Sequence, residues 1–264
     1  MAPLGTALIT GASTGIGAVY ADRLARRGHN LILVARNRDR LDTLARRLSD
    51  DTGRSVEVLP ADLNSASDLG RLETRLREDA SIDMLVNNAG IGTHTPLLQS
   101  QFDHMERLIA LNITALTRLT YAVVPGMAAR GRGALINIAS VVAITPERLN
   151  GVYGASKAYV LALSHSLRHE LAGQGIQVQA VLPGATSTAF WATGGLPVEN
   201  LDPAIVMRAE DMVDAALTGF DRQEAVTIPA LHDAGKWEAY EAARQAMATQ
   251  LSRREVAPRY LDGR

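Results

Sequence analysis

Residues 6–17 read TALIT-GASTGIG, and this stretch decides the fold. The first five residues are apolar or β-branched, which is typical of a buried strand. After the glycines, Ile16, Tyr20 and Leu24 recur at the spacing of one helix face. A strand, a glycine-rich turn and a helix in this order predict the first unit of an α/β fold.

The glycine-rich turn has more than one interpretation. Residues 11–15 fit G-x-S-x-G, the turn that carries the nucleophile of a serine hydrolase, with Ser13 as that nucleophile. Gly11, Gly15 and Gly17 also fit a turn that lets phosphates approach a helix N-terminus. The hydrolase needs an oxyanion-hole loop from an earlier strand, and only one strand precedes Ser13. We favour the phosphate-binding turn, keep the hydrolase as a remote alternative, and note that a packing turn without ligand fits these residues too.

The remaining chain repeats the alternation of strand and helix. Strand patterns occur at 6–10, 31–35, 56–59, 84–86, 134–138, 178–182 and, more weakly, 225–228. Helical patterns occur at 15–27, 38–49, 65–78, 102–130, 152–174, 209–220 and 233–251. Several strands are almost wholly apolar, as strands buried on both faces of a parallel sheet are. The sequence therefore predicts the α/β class with a doubly wound parallel sheet.

Composition excludes several classes of protein. The 264 residues include no cysteine, so disulfides, thiolate zinc sites and cysteine nucleophiles are ruled out. The net charge is −1 without a basic block, and nucleic acid is not expected as a partner. His165 and His169 lie at i and i+4 but lack a third ligand, so no metal is predicted.

The chain start has no basic segment typical of a signal peptide. No apolar run reaches the roughly 18 to 20 residues of a membrane span. We therefore expect a cytoplasmic protein without a membrane span.

We expect a single domain over residues 1–264 with two special segments. The stretch 183–203 is the only long irregular one, and long ordered loops in compact domains are usually functional. We predict a substrate lid at about 185–205, after the sixth strand. Residues 233–251, with Trp237 and Tyr240, predict an amphipathic C-terminal helix that covers the pocket or packs on another subunit.

A second group of polar residues follows the fifth strand. Tyr153 and Lys157 lie at i and i+4 on one helix face, which alone is more typical of an ordinary amphipathic helix. However, Ser140 ends the preceding strand, where an open sheet forms its ligand crevice. An isolated tyrosine has a pKa of about 10, and a nearby cation lowers it. We expect Lys157 to lower the pKa of Tyr153, which could then exchange a proton with a carbonyl oxygen held by Ser140.

These motifs together resemble the short-chain dehydrogenase/reductase family, in its conventional single-domain form with a Rossmann-type sheet. The matching pieces stand in the family's order and cover most of the chain to about residue 190: TGASTGIG at 10–17, ADL at 61–63, NNAG at 87–90, Asn112, Ser140, YGASK at 153–157, and Pro183-Gly184 followed by Thr188. The unusual glycine spacing is the family's own variant.

The resemblance implies four catalytic residues. Tyr153 is the acid/base, and Lys157 lowers its pKa and bonds the nicotinamide ribose. Ser140 orients the substrate carbonyl. Asn112 kinks the long helix locally and holds a water in a proton relay with Lys157.

The resemblance also implies a cofactor site around the glycine-rich turn. Asp62 and Leu63 lie at the adenine, Asn87, Ala89 and Gly90 near the ribose, and Thr188 at the nicotinamide carboxamide. The whole predicted set is Gly11, Ser13, Thr14, Gly15, Ile16, Gly17, Arg36, Asp62, Leu63, Asn87, Ala89, Gly90, Tyr153, Lys157, Pro183, Gly184, Thr186 and Thr188.

The end of the second strand predicts which cofactor is used. NAD-preferring folds usually place an acidic residue there, whereas this chain has Ala35 followed by Arg36. A guanidinium can pair with a 2′-phosphate, and Arg38 and Ser13 could assist. We therefore expect NADP(H) to be preferred over NAD(H).

The predicted activity is NADP(H)-dependent interconversion of a carbonyl and a primary or secondary alcohol on a partly hydrophobic small molecule. The substrate candidates are His94, Val141, Phe190 and Trp191, although the aromatic residues fit a packing role equally well. A non-catalytic NADP-binding regulator or scaffold with the same fold is the alternative. The resemblance implies a homodimer or homotetramer.

Overall fold

The computed structural model describes residues 4–261. Nine strands are present in this part of the chain: β1 Thr6–Thr10, β2 Asn30–Ala35, β3 Val56–Pro60, β4 Ile82–Asn87, β5 Gly133–Ile138, β6 Ile176–Val181, β7 Thr186–Ser187, β8 Met207–Arg208 and β9 Val226–Thr227. Seven of them form one parallel sheet in the order β3-β2-β1-β4-β5-β6-β9. The two-residue strands β7 and β8 pair separately.

Helices connect the strands. They are α1 Gly15–Arg26, α2 Arg38–Thr52, α3 Ala66–Glu78, α4 Phe102–Ile109, α5 Leu116–Ala129, α6 Gly151–Glu170, α7 Phe190–Thr193, α8 Ala209–Asp221 and α9 Ala234–Ala248. A π-helical segment, Ala110–Ala115, joins α4 to α5 without a break. The predicted α/β class with a doubly wound parallel sheet is confirmed.

Helices cover both faces of the sheet, which explains why the strand sequences are apolar throughout. All five residues of β1 are buried. On one face α1, α2 and α8 contribute Tyr20, Leu41 and Met212 to the core. On the other face α3 and α5 contribute Leu72 and Leu119.

The strand order reverses at β1, which has β2 on one side and β4 on the other. The connections from these strands leave toward opposite faces, so a crevice opens beyond their carboxyl ends. Residues 11–15 and the segment after Asn87 both lie at this crevice.

Several element boundaries differ from the predicted ones. The pattern at 102–130 is a helix interrupted by the π segment that contains Asn112. The pattern at 152–174 ends as a helix at Glu170, and the weak strand at 225–228 shrinks to Val226–Thr227 at the sheet edge. These ends fray because isolated terminal turns lose the packing that holds the centre of each element.

One helical stretch among the described residues, Phe102–Ala129, is long and apolar enough to cross a membrane by length and composition. An 18-residue window within it has a mean hydropathy of 1.4, and 44% of that window is buried. The stretch is not an uninterrupted apolar run, because polar residues such as Asn112 lie within it, and the sequence pattern therefore did not predict it as a span. This is weak evidence for a span, since a core helix passes the same test, and Leu119 and Val123 belong to the core.

The sheet and its flanking helices form one compact unit that ends at Ala230, and the segment from Leu231 forms another. Within the second unit the helix predicted at 233–251 is observed as α9. The rings of Trp237 and Tyr240 stack with centroids 5.2 Å apart. No residue of α9 is buried.

At position 17, near the start of α1, only a residue without a side chain fits. A Cβ atom on Gly17 would lie 2.4 Å from the carbonyl oxygen of Gly11, well inside van der Waals contact. By contrast, a Cβ atom on Gly70 in α3 would meet nothing within 4 Å.

We expect Gly17→Ala to lower the free energy of unfolding by about 1–3 kcal/mol, because the methyl group forces the backbone of the turn apart. The matched control Gly70→Ala should raise it by about 0.5–1 kcal/mol through helix propensity. Urea unfolding of the three proteins measures both values. Equal stability of Gly17→Ala and the wild type would contradict the close approach.

Candidate active site

The first turn of α1 is built to receive an anion. Gly11 and Gly15 adopt φ angles of +67° and +56°, a left-handed region that favours glycine. Thr14 precedes the helix and makes no side-chain capping bond, whereas side chains cap α2, α3 and α6, namely Asn37, Ser65 and Asn150. The N–H groups of this turn therefore face the crevice without a side-chain acceptor.

Asn88 holds the glycine-rich turn in place, and the sequence analysis missed it. Its side-chain amide donates to the carbonyls of Thr10 and Gly11 at 2.9 and 3.2 Å. The hydroxyl of Thr10 accepts the backbone N–H groups of Asn88 and Ala89 at 3.0 Å each and donates to Val86. The signal was available in the second asparagine of NNAG.

Asn87 was predicted to line the ribose site, but the structure places its side chain elsewhere. The side chain is buried and donates to Asn137 at 2.9 Å and to Thr120 at 3.2 Å. Because alternate residues of a strand face opposite sides, Asn87 points into the helix-covered layer. Its Oδ1 is buried and has no hydrogen-bond partner among the described residues.

Leu63 shows a similar difference, since its side chain belongs to the core with Leu69 and Leu72. Asp62 is half-buried, and its carboxylate accepts the N–H of Asn64 at 3.0 Å. These observations leave the backbone of Leu63 and one carboxylate oxygen of Asp62 as the groups that could face an adenine.

Arg36 is exposed directly after β2, at the crevice. Arg36, Arg38 and Arg40 make no side-chain ion pair with any described residue, in contrast to Arg23 and Arg26 of α1. A cavity of about 390 Å³ lies beside Arg40, the one residue of these three in its lining, which consists of Ser13, Asp39, Arg40, Thr43, Leu44 and Arg47. This cavity contains no histidine, so the hydrolase alternative lacks a base beside Ser13.

Asn112 connects the segment after β4 to α6. Its Oδ1 accepts the N–H of Ile91 at 3.0 Å, and its Nδ2 donates to the carbonyl of Ile91 at 2.9 Å and to Ser156 at 3.1 Å. The π segment turns this side chain inward, in line with the predicted local kink. Gly90 fits beside it, because a Cβ there would lie 3.1 Å from Asn112 Oδ1 and 3.7 Å from Lys157 Nζ.

Ser140, Tyr153 and Lys157 come together at the carboxyl end of β5. The hydroxyl of Ser140 donates to the carbonyl of Pro183 at 3.3 Å and lies near enough to the Tyr153 hydroxyl to lower its pKa. Lys157 donates to the carbonyl of Ile138 at 2.9 Å, and its Nζ lies 5.8 Å from the Tyr153 ring centroid. Tyr153 and Lys157 are each only 6% exposed.

The pKa of Tyr153 differs from the expected one. Burial raises it to about 12, and the nearby hydroxyl of Ser140 only partly opposes this rise. Burial also lowers the pKa of Lys157 to about 8. The expected lowering of the phenol pKa by Lys157 is not seen in this structure, because removal from water raises the pKa and Lys157 donates to the carbonyl of Ile138 instead. The phenol is therefore protonated at neutral pH.

The base of the predicted lid packs against the glycine-rich turn. A Cβ atom on Gly15 would lie 3.0 Å from the methyl carbon of Thr188. Thr188 donates to the carbonyl of Thr186 at 3.4 Å, and Thr186 donates to that of Gly184 at 3.1 Å. Thr188 therefore lies against the glycine-rich turn, and its role at the nicotinamide carboxamide stays a prediction, as does the role of Pro183, Gly184 and Thr186 in cofactor binding.

Among the substrate candidates, Phe190 packs beside the ring of Tyr153. Its ring centroid is 5.9 Å from that of Tyr153. The indole of Trp191 donates to Thr186 at 2.9 Å instead, and Nδ1 of exposed His94 is hydrogen-bonded to the carbonyl of Gly194 at 3.0 Å. Val141 is half-buried, with its N–H bonded to the carbonyl of Pro183 at 3.0 Å.

An apolar cluster around Tyr153 was only partly found from sequence. Leu108, Val142 and Tyr153 are its buried members, with Ile91, Leu149, Val152 and Phe190 packed against them. No group of three or more His, Asp or Glu side chains among residues 4–261 could hold a metal ion.

Comparison with known proteins agrees with this geometry. The model of the short chain dehydrogenase family matches residues 5–195. A short-chain dehydrogenase from Sphingobium yanoikuyae, solved in complex with NADPH, is 52% identical with a TM-score of 0.94, covering 97% of this chain and 100% of its own. The bulky-bulky ketone specific alcohol dehydrogenase from Comamonas testosteroni is 49% identical with a TM-score of 0.90, covering 98% and 99%.

Curated relatives match over a shorter part. The 17-beta-hydroxysteroid dehydrogenase type 3 of Homo sapiens is 36% identical over 188 residues, which are 70% of this chain and 60% of that protein. This chain therefore spans less than two thirds of that relative. From the family match, the sheet topology and the structural neighbours together, the chain belongs to the short-chain dehydrogenase family of oxidoreductases.

Proposed function

We propose that the chain is an NADP(H)-dependent carbonyl reductase and alcohol dehydrogenase acting on ketones with two large apolar substituents. The observation that carries this proposal is the buried phenol of Tyr153, which lies beside Ser140 and belongs to an apolar cluster with Leu108 and Val142. A neutral phenol in that position can donate a proton to a carbonyl oxygen.

The crevice has the features that a dinucleotide requires. The uncapped first turn of α1 offers N–H groups to phosphates, and Gly11 and Gly15 leave both ends of the turn without a side chain. A bound nicotinamide cofactor supplies the hydride for reduction and accepts it for oxidation. Lys157 and the backbone after β4 are the groups that would hold its ribose.

The chain's own residues handle the proton. Tyr153 holds the proton on its phenol oxygen and donates it to the carbonyl oxygen of the substrate, while Ser140 hydrogen-bonds the same oxygen. Lys157 lies near enough to stabilise the phenolate left behind. Asn112 holds the loop at Ile91 against α6, which keeps the loop in a fixed position relative to Tyr153 and Lys157 on that helix.

The unpaired arginines support a preference for NADP(H). Most basic residues near α1 are neutralised by carboxylates, whereas Arg36, Arg38 and Arg40 are not. Ser13 and Arg40 share the cavity at the start of α2, where a 2′-phosphate could accept bonds from both. A neighbour of 52% identity was solved in complex with NADPH.

The substrate class is inferred from the cluster around Tyr153 and from a neighbour. Leu108, Val142 and Phe190 offer apolar contacts on the side of the phenol that a substrate must approach. The alcohol dehydrogenase of Comamonas testosteroni, specific for bulky-bulky ketones, is 49% identical over almost the whole chain.

Tyr153→Phe removes the proton donor and leaves the ring. We expect kcat/KM for ketone reduction to fall by about 10²–10⁴-fold, with the Kd for NADPH changed by less than about threefold. NADPH oxidation at 340 nm and fluorescence titration measure the two quantities. The matched control is Tyr121→Phe, on an exposed ring of α5. Undiminished turnover in Tyr153→Phe would refute the assignment, and NADPH binding by a wild type that reduces no carbonyl of a broad panel would favour the regulator or scaffold.

Arg36→Ala tests the cofactor preference. Loss of a charge-assisted bond to the 2′-phosphate should lower kcat/KM with NADPH by about 10–100-fold and leave that with NADH within about twofold. The matched control Arg46→Ala removes an exposed guanidinium from α2. A wild type that prefers NADH, or an equal loss with both cofactors, would contradict the proposal.

The lowered pKa of Lys157 predicts how stability depends on pH. The value falls from 10.5 to about 8 on folding, so the unfolded chain binds more protons between these pH values. Folding stability contributed by this group therefore rises with pH across that window, by about 3 kcal/mol in total. Below pH 8 both states carry the charge, and the full burial cost remains.

Urea unfolding of the wild type and Lys157→Met measures this effect. We expect the stability of the wild type relative to the variant to increase steadily from pH 8 to pH 10. Tyr153 has the opposite dependence above its unfolded pKa of 10.0, but it is present in both proteins and cancels. A constant or decreasing difference would show that Lys157 is not desolvated as the structure indicates.

A further inference from the structure

Gly92 is a glycine for reasons of space alone. Its φ lies outside the left-handed region, so any residue could adopt its backbone conformation. However, a Cβ atom there would lie 2.4 Å from Cζ and 2.9 Å from Cε1 of Phe190. Gly92 is also buried, so the backbone of the loop forms a notch filled by the edge of this ring.

Phe190 is the first residue of α7 and reaches from the lid to the catalytic tyrosine. Its ring lies 5.9 Å from Tyr153 and 6.1 Å from the edge-on ring of Trp191, centroid to centroid. It packs against the cluster that includes Leu108 and Val142. Phe190 therefore lies on the apolar side of the site, between the notch and the phenol.

The same loop also holds the other end of α7. A Cβ atom on Gly194 would lie 3.1 Å from the carbonyl oxygen of Gly92, so the two backbones are in close contact. His94 adds the hydrogen bond from its Nδ1 to the carbonyl of Gly194. Trp191 is fixed by its bond to Thr186. With both ends of α7 held, the Phe190 ring cannot easily yield to an added methyl group by tilting the helix.

We propose that Gly92 is a specificity-determining residue of this enzyme: it provides the notch that seats the Phe190 ring and so fixes the space left beside Tyr153 for the second substituent of the ketone. The inference rests on the proposed ketone reduction for its substrate class. The position of the ring does not depend on that reaction.

Two single variants should change the volume left beside Tyr153 for the second substituent in opposite directions. Gly92→Ala fills the notch and drives the ring toward Tyr153, into the space of the substituent. Phe190→Ala removes the ring and enlarges that space. We use acetophenone as the ketone with one small substituent and hexanophenone as the ketone with two large ones.

Relative to the wild type, we expect Gly92→Ala to lower the ratio of kcat/KM for hexanophenone to that for acetophenone by about tenfold or more, because apolar pockets discriminate at this level. Phe190→Ala should raise the ratio by a similar factor. In the double variant the added methyl group meets no ring, so its ratio should match that of Phe190→Ala within about twofold. Gly151→Ala is the control, since a Cβ there meets nothing within 4 Å.

A second readout does not require turnover. Trp191 and Trp237 are the two tryptophans of the chain, so Trp237→Phe leaves Trp191 as the reporter beside Phe190. In this background we expect Gly92→Ala to change the emission maximum and acrylamide quenching of Trp191, and Gly151→Ala to leave them unchanged. In the Phe190→Ala background, the change caused by Gly92→Ala should disappear.

The outcomes separate this inference from the proposed function. If the wild type reduces neither ketone, the substrate class is wrong, and the Trp191 emission alone decides whether the notch exists. An unchanged ketone ratio in Gly92→Ala, or effects of Gly92→Ala that persist in full without Phe190, would overturn the role of Gly92 in specificity. Unchanged Trp191 emission in Gly92→Ala would overturn the notch itself.

Discussion

The hydrogen bonds between Thr10 and Asn88 are the constraint on which the rest of the site depends. They tie the carboxyl end of β1 to the segment that leaves β4, at the point where the strand order reverses. The groups involved are mostly backbone N–H and C=O groups that no strand partner could satisfy there. Leaving one such buried group unpaired costs about 1–3 kcal/mol. By pairing these groups, the side chains of Thr10 and Asn88 hold the two walls of the crevice together.

From that anchor a single segment, residues 88–94, sets both halves of the site. Near its start, Gly90 lies beside Asn112 and Lys157, on the side where a cofactor ribose would be held. Ile91 is clamped by Asn112 through two hydrogen bonds. One residue further, Gly92 receives the ring of Phe190 from the lid. Movement of this segment would therefore disturb proton transfer and substrate fit together.

The features that could be predicted from the sequence are those that depend on local interactions. The strands, their parallel arrangement and the glycine-rich turn came from periodicity and composition, because burial on both faces of the sheet forces an apolar pattern. The π segment at Asn112 was anticipated as a kink only through the family resemblance, since no local pattern marks where a helix takes up an extra residue.

The predictions that differed all depended on side-chain direction or on desolvation. Asn87 and Leu63 stand in the family's motifs, yet their side chains point into the interior, and only the backbone pairing of the sheet decides this. The pairing of Gly92 with Phe190 joins positions about a hundred residues apart, and no spacing rule connects them. The pKa of Tyr153 depends on how much water the folded lid excludes, which a sequence pattern does not contain.

The exclusion of water from Tyr153 links the pKa of its phenol to the size of the substrate that fits the site. The apolar cluster that would receive the substrate is also what raises the pKa of the Tyr153 phenol to about 12. A fully hydrated phenol would lose this shift, and its pKa would lie closer to the usual value of about 10. Residues that widen the apolar side, Phe190 foremost, therefore act on proton affinity as well as on substrate size. Because a protonated phenol donates in reduction and a phenolate accepts in oxidation, the packing around one aromatic ring affects both which ketone fits and the pH at which each direction proceeds.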